Sequence, residues 1–177
     1  MRKLGIIAVL SLLVTALAAV PALAAGTPVF NEAAAPQGTH VQTGTPSCSF
    51  VTGTQNVTCS SFELAGVGNV DATATLTATY TATIDCRNRG GNVVETHAGT
   101  FTAASTTGAL APEHGRLTVP SLTATAPSEA DFLAQQTCPN PNWTKEIRAG
   151  TTVTLVSSVY TVTFEGFPGA YITIIDP

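Results

Sequence analysis

Residues 70–86 read VDATATLTATYTATIDC, and this stretch decides the fold class. Every even position in it carries an apolar side chain, and every odd position from 71 to 85 carries Asp or Thr. Alternation with a period of two is the pattern of a β-strand that buries one face. Such a strand would extend for roughly 56 Å, whereas a domain of this size has a diameter of about 40 Å, so we expect it to bend, bulge or cross between sheets.

Shorter alternating segments follow along the chain, separated by turns rich in Gly, Pro and Asn. Further strands are predicted at residues 93–102, 116–125, 143–148, 153–164 and 170–175. The alternation changes phase at Pro120, which favours a bulge or an edge, and residues 129–135 have the pattern of a short helix. Because a sheet with one apolar face must cover it with a second layer, we predict an all-β fold. The expected architecture is an antiparallel, Ig-like β-sandwich with seven or eight strands and at most one short helix.

The segment between Cys48 and Cys59 predicts a β-hairpin. With the turn centred on residues 53–54, Cys48 faces Cys59 and the apolar side chains fall on one face. Four cysteines allow three disulfide pairings. The hairpin register selects Cys48–Cys59, which leaves Cys86–Cys138 as the second pair.

The N-terminus has the pattern of a secretory signal peptide, with Arg2 and Lys3 before an apolar run at residues 4–20 and an Ala-x-Ala site after it. A retained membrane anchor is the alternative, but the run is a little short for a spanning helix of roughly 20 residues. The predicted organisation is a signal peptide at residues 1–24, a flexible leader at 25–46 and a single β-sandwich domain at 47–177.

Charged residues make up only 10% of the chain, and the formal net charge is −4. Soluble domains usually carry about 25% charged residues, so the polarity of this chain comes from Thr, Ser, Asn and Gly instead. An acidic, charge-poor chain disfavours nucleic acid and anionic lipid as partners. Together with the signal pattern, the composition predicts a secreted, extracellular protein that has no membrane anchor after cleavage.

Three short motifs occur in a fixed order: LAGVGN at residues 64–69, NRGGN at 88–92 and CP at 138–139. The alternating strand lies between the first two motifs and ends in Cys86. In this order the chain resembles an uncharacterised family of small secreted microbial β proteins, of actinobacterial type, with L-x-G-x-G-N, C-x-N-x-G-G-N and C-P motifs. The resemblance implies export and supports the Cys86–Cys138 pair. It implies no catalytic residues, because the family has no assigned activity.

No arrangement typical of catalysis is visible in the sequence. The chain has three histidines, His40, His97 and His114. None of them belongs to a nucleophile motif, and no G-x-S-x-G sequence occurs. Asp71 and Asp85 share a strand face but are too far apart to act as a carboxylate pair. We predict no metal and no cofactor; the one alternative is a Ca²⁺ site formed by Asn69, Asp71 and loop carbonyls.

The best candidate for a binding surface is the pair of loops that the Cys86–Cys138 disulfide would bring together. The candidate residues are Arg87, Asn88, Arg89, Asn92, Asn140, Asn142 and Trp143. Arginine forks and asparagine amides suit carboxylates, sulfates and sugar hydroxyls, and a glycine turn offers backbone N–H groups to an anion. The alternative is that Gly, Asn and Pro only form turns there, that the arginines are solvated, and that the tryptophan packs against the disulfide.

These observations predict a secreted, non-catalytic binding protein or a cell-surface or matrix component. Its partner would be an unknown extracellular ligand, whether a protein, a glycan or a small molecule. Two alternatives stay open: a small secreted hydrolase with a site assembled from distant loops, and a small-molecule carrier or inhibitor. A cleft that holds a His or a carboxylate with a shifted pKa would favour the hydrolase, and a deep apolar pocket between the sheets would favour the carrier.

Overall fold

The computed structural model describes residues 26–176, and the predicted signal peptide lies outside the described residues. This part of the chain is mainly β-structure, with twelve strands, a 3-10 turn at Glu32–Ala34 and one α-helix, α1, at Glu129–Ala134. The strands are β1 (Val29–Phe30), β2 (His40–Thr43), β3 (Cys48–Val51), β4 (Asn56–Cys59), β5 (Phe62–Ala65), β6 (Ala72–Arg87), β7 (Val93–Thr106), β8 (Arg116–Val119), β9 (Leu122–Ala124), β10 (Thr144–Ile147), β11 (Thr154–Phe164) and β12 (Ile172–Asp176).

The alternating stretch forms β6, which is the central strand of the fold. Its even-numbered side chains are buried from Ala72 to Cys86, as the alternation predicts. β7 lies along one edge of β6, and β11 followed by β10 shares the other edge. β6 does not cross between sheets. The expected irregularity is found instead in its neighbours, because the pairing skips Val156 in β11 and Val94 in β7.

The large sheet has six strands in the order β1, β12, β11, β6 and β7, with β10 beside the end of β6. The first and last strands of the described chain pair with each other, since Val29 lies opposite Thr173. The odd-numbered threonines of β6 face away from the core. One row of threonines, Thr173, Thr161, Thr75 and Thr106, runs across four strands of this outer face.

Two three-stranded sheets, β2-β5-β8 and β3-β4-β9, form the second layer. β8 and β9 are consecutive in sequence but belong to different sheets, and Pro120 lies between them. The phase change at Pro120 is therefore a change of sheet, which leaves both Leu117 and Leu122 buried. Side chains from all three sheets form one core cluster, so the predicted all-β, sandwich-like fold is confirmed. The divided second layer gives twelve strands rather than the seven or eight predicted.

The β3–β4 hairpin has the predicted register, with Cys48 opposite Cys59. The disulfides are Cys48–Cys59 and Cys86–Cys138, so both predicted pairs are confirmed. The first disulfide fixes the hairpin, and the second joins β6 to the segment between α1 and β10.

The segment predicted as a flexible leader contributes to the fold, which corrects that prediction for residues 26–46. β1 pairs with β12, as an edge strand, and β2 pairs with β5. Ala34 is fully buried, and the Tyr171 hydroxyl donates a hydrogen bond to the Thr39 carbonyl oxygen over 3.1 Å. A segment of small residues and Pro has no clear periodicity, so its pairing with distant strands cannot be read from its own sequence.

The hydroxyl of Tyr160 is buried without a hydrogen-bond partner in the described part of the chain. The residue is 1% exposed, and burial raises the pKa of its hydroxyl above the ordinary value of 10.0. An unpaired buried hydroxyl destabilises the folded state by roughly 1–3 kcal/mol.

Tyr160→Phe is therefore expected to increase the free energy of unfolding by about 1 kcal/mol at pH 7. Because the pKa is raised in the folded state, the unfolded chain loses the proton first, and wild-type stability falls as the pH rises above about 10. The variant should show a shallower alkaline loss in urea unfolding at pH 7 and pH 11. Equal losses in the two proteins would contradict the assignment.

Candidate functional site

Pairing of β10 with β6 brings the two loops of the candidate site together. Thr144 lies opposite Arg87, and Lys145 lies opposite Cys86. Because the strands are antiparallel, the residues before Thr144 lie beside those that follow Arg87. The Cys86–Cys138 disulfide holds the second loop at the same end of the sheet.

The side chains of this site divide between the two faces of the sheet. Cys86 is buried on the core side, so the next residue, Arg87, faces the outer side. There the Arg87 guanidinium is hydrogen-bonded to the Glu146 carboxylate. Lys145 shares the core side with Cys86, and Trp143 precedes it by two residues and lines the same groove. The sequence predicted one patch, whereas the structure has two surfaces, because β-strand alternation separates adjacent side chains.

Two of the candidate asparagines stabilise the turns in which they lie. The Asn88 side-chain oxygen accepts hydrogen bonds from the N–H groups of Gly90, at 2.9 Å, and Asn92, at 3.1 Å. The Asn140 side-chain oxygen accepts one from the N–H of Asn142, at 2.9 Å. Turn formation therefore accounts for Asn88, as the alternative interpretation proposed.

The remaining polar candidates, Arg89, Asn92 and Asn142, are exposed to solvent. Arg87 is partly buried, and besides its ion pair it donates a hydrogen bond to the Gly91 carbonyl oxygen at 2.9 Å. Its guanidinium thus stabilises the glycine turn and is already hydrogen-bonded to protein groups. Of the two candidate arginines, Arg89 alone makes no side-chain hydrogen bond or ion pair within residues 26–176.

A groove of about 210 Å³ lies on the core-side surface beside the second disulfide. It is lined by Gln136, Thr137, Cys138, Asn140, Pro141, Trp143 and Lys145. Two candidates from the sequence, Asn140 and Trp143, are therefore brought together in it. Gln136, Thr137 and Lys145 are not among the residues predicted from the sequence, because the predicted residues all lie in or beside turns, whereas these three follow a helix or lie in a strand. Once β10 is paired with β6, Lys145 lies directly opposite Cys86 and therefore on the same face. This register is the signal that identifies the lysine.

Hydrogen bonds fix the floor of this groove. The Lys145 ammonium donates to the Gln136 carbonyl oxygen at 2.8 Å, which ties β10 to the end of α1. The Gln136 side-chain amide donates to the carbonyl oxygens of Thr100, at 2.9 Å, and Phe132, at 3.2 Å. Within residues 26–176, the amide nitrogen of Asn140 has no hydrogen-bond acceptor of its own. The groove therefore offers a ligand an aromatic ring and a free amide on a rigid base.

On the outer face, two carboxylates lie opposite each other and each is balanced by an arginine. Asp85 is paired with Glu146 across β6 and β10. Arg87 binds Glu146, and Arg148 lies 3.6 Å from the Asp85 carboxylate, which also accepts the Thr96 hydroxyl at 2.6 Å. These contacts form a structural network. Asp85 is only 4% exposed, whereas the Arg87–Glu146 pair is partly exposed, and exposed pairs typically contribute about 0–1 kcal/mol.

A second groove, of about 500 Å³, lies beside the turn between Glu113 and Arg116. His114 and Gly115 form this two-residue turn with φ values of 52° and 75°. Positive φ at both positions is the backbone of the tight turns that suit β-hairpins. The Arg116 guanidinium donates to the Glu63 carboxylate at 2.9 Å, so one of the two acidic groups in the groove is already paired.

No group of three or more His, Cys, Asp or Glu side chains is placed to hold a metal ion within residues 26–176. Among the described residues, no helix is long and apolar enough to cross a membrane. Of the other histidines, His40 is exposed in β2, and His97 lies in β7 with its Nδ1 3.5 Å from the Glu95 carboxylate.

Comparison of the chain with protein-family models, with curated proteins and with solved structures found no match. The resemblance to small secreted microbial proteins therefore stays a prediction. The two grooves beside Cys138 and beside His114 are the candidate sites from which a function can be inferred.

Proposed function

We propose that this protein is a secreted, non-catalytic β-sandwich that binds a small, hydroxyl-rich extracellular ligand, such as a single sugar ring. The proposed binding site is the groove beside the Cys86–Cys138 disulfide. The observation that carries the proposal is that Trp143, the one tryptophan of the chain, lines this groove together with Asn140. Secretion is supported by the N-terminal signal pattern and by two disulfides, which persist in oxidising compartments.

The chemistry of the groove suits a sugar better than a large apolar molecule. An indole ring presents a flat apolar surface to the C–H face of a sugar, and an amide nitrogen donates a hydrogen bond to a hydroxyl. The volume of about 210 Å³ is below the roughly 300 Å³ at which pockets for drug-sized ligands begin, so one ring is the expected size. Because Lys145 and Gln136 are already hydrogen-bonded, the walls need little ordering when the ligand binds.

The groove beside His114 supports the alternative of a small hydrolase, since it joins Glu63 to residues of a distant turn. We place this function second. Glu63 is neutralised by Arg116, and Thr118 is the only hydroxyl side chain among the lining residues. His114 and Glu113 line the same groove, but within residues 26–176 neither is hydrogen-bonded to Thr118, so the geometry for nucleophilic catalysis is incomplete.

The proposal is tested by titrating the protein with neutral and N-acetylated monosaccharides while recording tryptophan emission. Because Trp143 is the one tryptophan, any saturable change in emission reports on this groove. Asn140→Asp keeps the side-chain oxygen that accepts the Asn142 N–H and removes the amide donor. Loss of one hydrogen bond is expected to weaken binding by about three- to tenfold.

The matched control is Asn88→Asp, which makes the same chemical change in the neighbouring turn, outside the groove. The control should bind as the wild type does. No saturable change of emission with any of these sugars would refute the proposed ligand class. Equal weakening in the two variants would show that the groove is not the binding site.

A further inference from the structure

The outer edge of β7 is a long β-strand edge without a partner strand in the described chain. β7 spans Val93–Thr106 and pairs with β6 along one side, and within residues 26–176 no other strand pairs with it. An unpaired edge presents a row of N–H and C=O groups that can accept another β-strand.

The hydrogen bonds beside β7 identify which of its residues present these groups. Ala72 of β6 exchanges two backbone hydrogen bonds with Leu110, and the Thr107 N–H donates to Ala74. The backbone N–H and C=O groups of the even residues of β6 therefore point towards β7. Because even residues of β6 lie opposite odd residues of β7, the odd residues of β7 form the hydrogen bonds with β6. The even residues of β7 point their N–H and C=O groups away from β6. The hydrogen bond from the Gln136 side chain to the Thr100 carbonyl oxygen agrees with this parity.

The two edges of the large sheet are protected to very different degrees. At the opposite edge, β1 has only two residues, Val29–Phe30, and a 3-10 turn follows it. Short edge strands, prolines, lysines and bulges are the usual devices against edge-to-edge association. From residue 96 to residue 104, β7 has none of these, and its one ionisable side chain there is His97.

The exposed side chains of β7 favour a second copy of this chain over a foreign peptide. From residue 96 to residue 104 they are small: Thr96, Ala98, Thr100, Thr102 and Ala104. A strand-binding site for foreign peptides needs pockets that select alternate side chains, and a row of Thr and Ala offers none. Two copies of β7 placed antiparallel bring Thr and Ala opposite Thr and Ala, with no like charges face to face.

We propose that the protein forms a two-fold symmetric dimer by antiparallel pairing of β7 with β7 of a second copy. Thr100 lies on the two-fold axis opposite Thr100 of the second copy. Ala98 then pairs with Thr102, and Thr96 pairs with Ala104. This register pairs the five outward-facing residues from Thr96 to Ala104 on both sides, and it joins the two large sheets into one continuous sheet.

The hydrogen bond from Gln136 is compatible with this pairing. Gln136 is 8% exposed, and its side-chain oxygen occupies the place where a Cβ of Gly99 would lie, which is on the core side of β7. A carbonyl oxygen has two lone pairs, so the Thr100 oxygen can accept the N–H of the second copy as well. Gln136 thereby holds this carbonyl in place at the centre of the interface.

The first test is the concentration dependence of molecular mass in sedimentation equilibrium, with the full chain that carries both disulfides. The wild type should be a dimer at high concentration. Thr102→Pro removes an N–H that faces away from β6 and leaves the β6–β7 ladder intact. Each dimer would lose two hydrogen bonds and leave their acceptors unpaired, so its dissociation constant should rise by roughly tenfold or more. Thr102→Val keeps the N–H and is the matched control.

A charge exchange at Thr100 keeps the proposal testable if the proline variant does not fold. Thr100→Lys and Thr100→Glu each place like charges on the two-fold axis, so each variant alone should dissociate. An equimolar mixture should restore the dimer. A wild type that stays monomeric at all concentrations, including one that pairs only with an added peptide, overturns the proposal. So does a dimer that tolerates both charged variants, since its interface would lie elsewhere.

Discussion

Replacing Tyr80 with alanine is expected to lower the free energy of unfolding by about 3–5 kcal/mol. Tyr80 lies at the middle of β6 and is 0% exposed, and its hydroxyl donates to the Ala124 carbonyl oxygen of β9 at 3.4 Å. Removing the ring leaves a cavity between the two layers and deletes the hydrogen bond to Ala124. Urea unfolding followed by circular dichroism measures the loss.

The matched control is Thr79→Ala, one position earlier on the same strand. Thr79 faces the outer side of the large sheet, so its replacement should cost no more than about 1 kcal/mol, the span of β-propensity scales. Comparable losses in the two variants would show that β6 does not bury one face alone, and the two-layer packing described above would be wrong.

Removal of the Cys86–Cys138 disulfide, by Cys86→Ser with Cys138→Ser, is expected to reduce stability by about 4 kcal/mol. The disulfide closes a loop of 52 residues, and its loss restores that entropy to the unfolded chain. Loss of the disulfide also frees the loop that contains Cys138, Asn140 and Trp143 and that lines the groove. Sugar binding should therefore weaken in the protein that remains folded. Chemical unfolding under oxidising conditions measures the first effect, and tryptophan emission the second.

The comparison is the hairpin disulfide, removed by Cys48→Ser with Cys59→Ser. Its sequence separation is 11 residues, so the expected loss is smaller, about 3 kcal/mol. Sugar binding should be unaffected, because the hairpin does not line the groove. A larger loss for the hairpin pair than for Cys86–Cys138 would contradict the loop-entropy argument.

The parts of the fold that could be predicted from the sequence are those that depend on local patterns. The alternation of β6 identifies its buried face, and the Cys48–Cys59 hairpin has a register that its own residues determine. The phase change at Pro120 was also visible. What it meant, a switch between two sheets, depends on partners that lie some 60 residues earlier, and the sequence does not show them.

Strands of four residues such as β2 and β5 were missed because they are too short for alternation to be recognised. These strands form because they pair with strands that are distant in the sequence, β2 with β5 and β5 with β8. The position of the candidate site in the fold was predicted from the sequence, but the faces on which its side chains lie were not. The disulfide pairing correctly made the two loops neighbours, yet the assignment of Arg87 and Trp143 to opposite faces required the register of β10 against β6.

The pairing of β1 with β12 has a consequence for the time course of folding. The edge of the large sheet is completed only when Val29 meets Thr173, near the two ends of the described chain. Likewise β6 gains its β11 neighbour only after residue 154 is available. Domains dominated by such distant pairings fold in milliseconds to seconds, far more slowly than helical bundles. The large sheet therefore stays incomplete until residues 154–176 have been synthesised, and a chain with an incomplete sheet can still be threaded through a narrow channel.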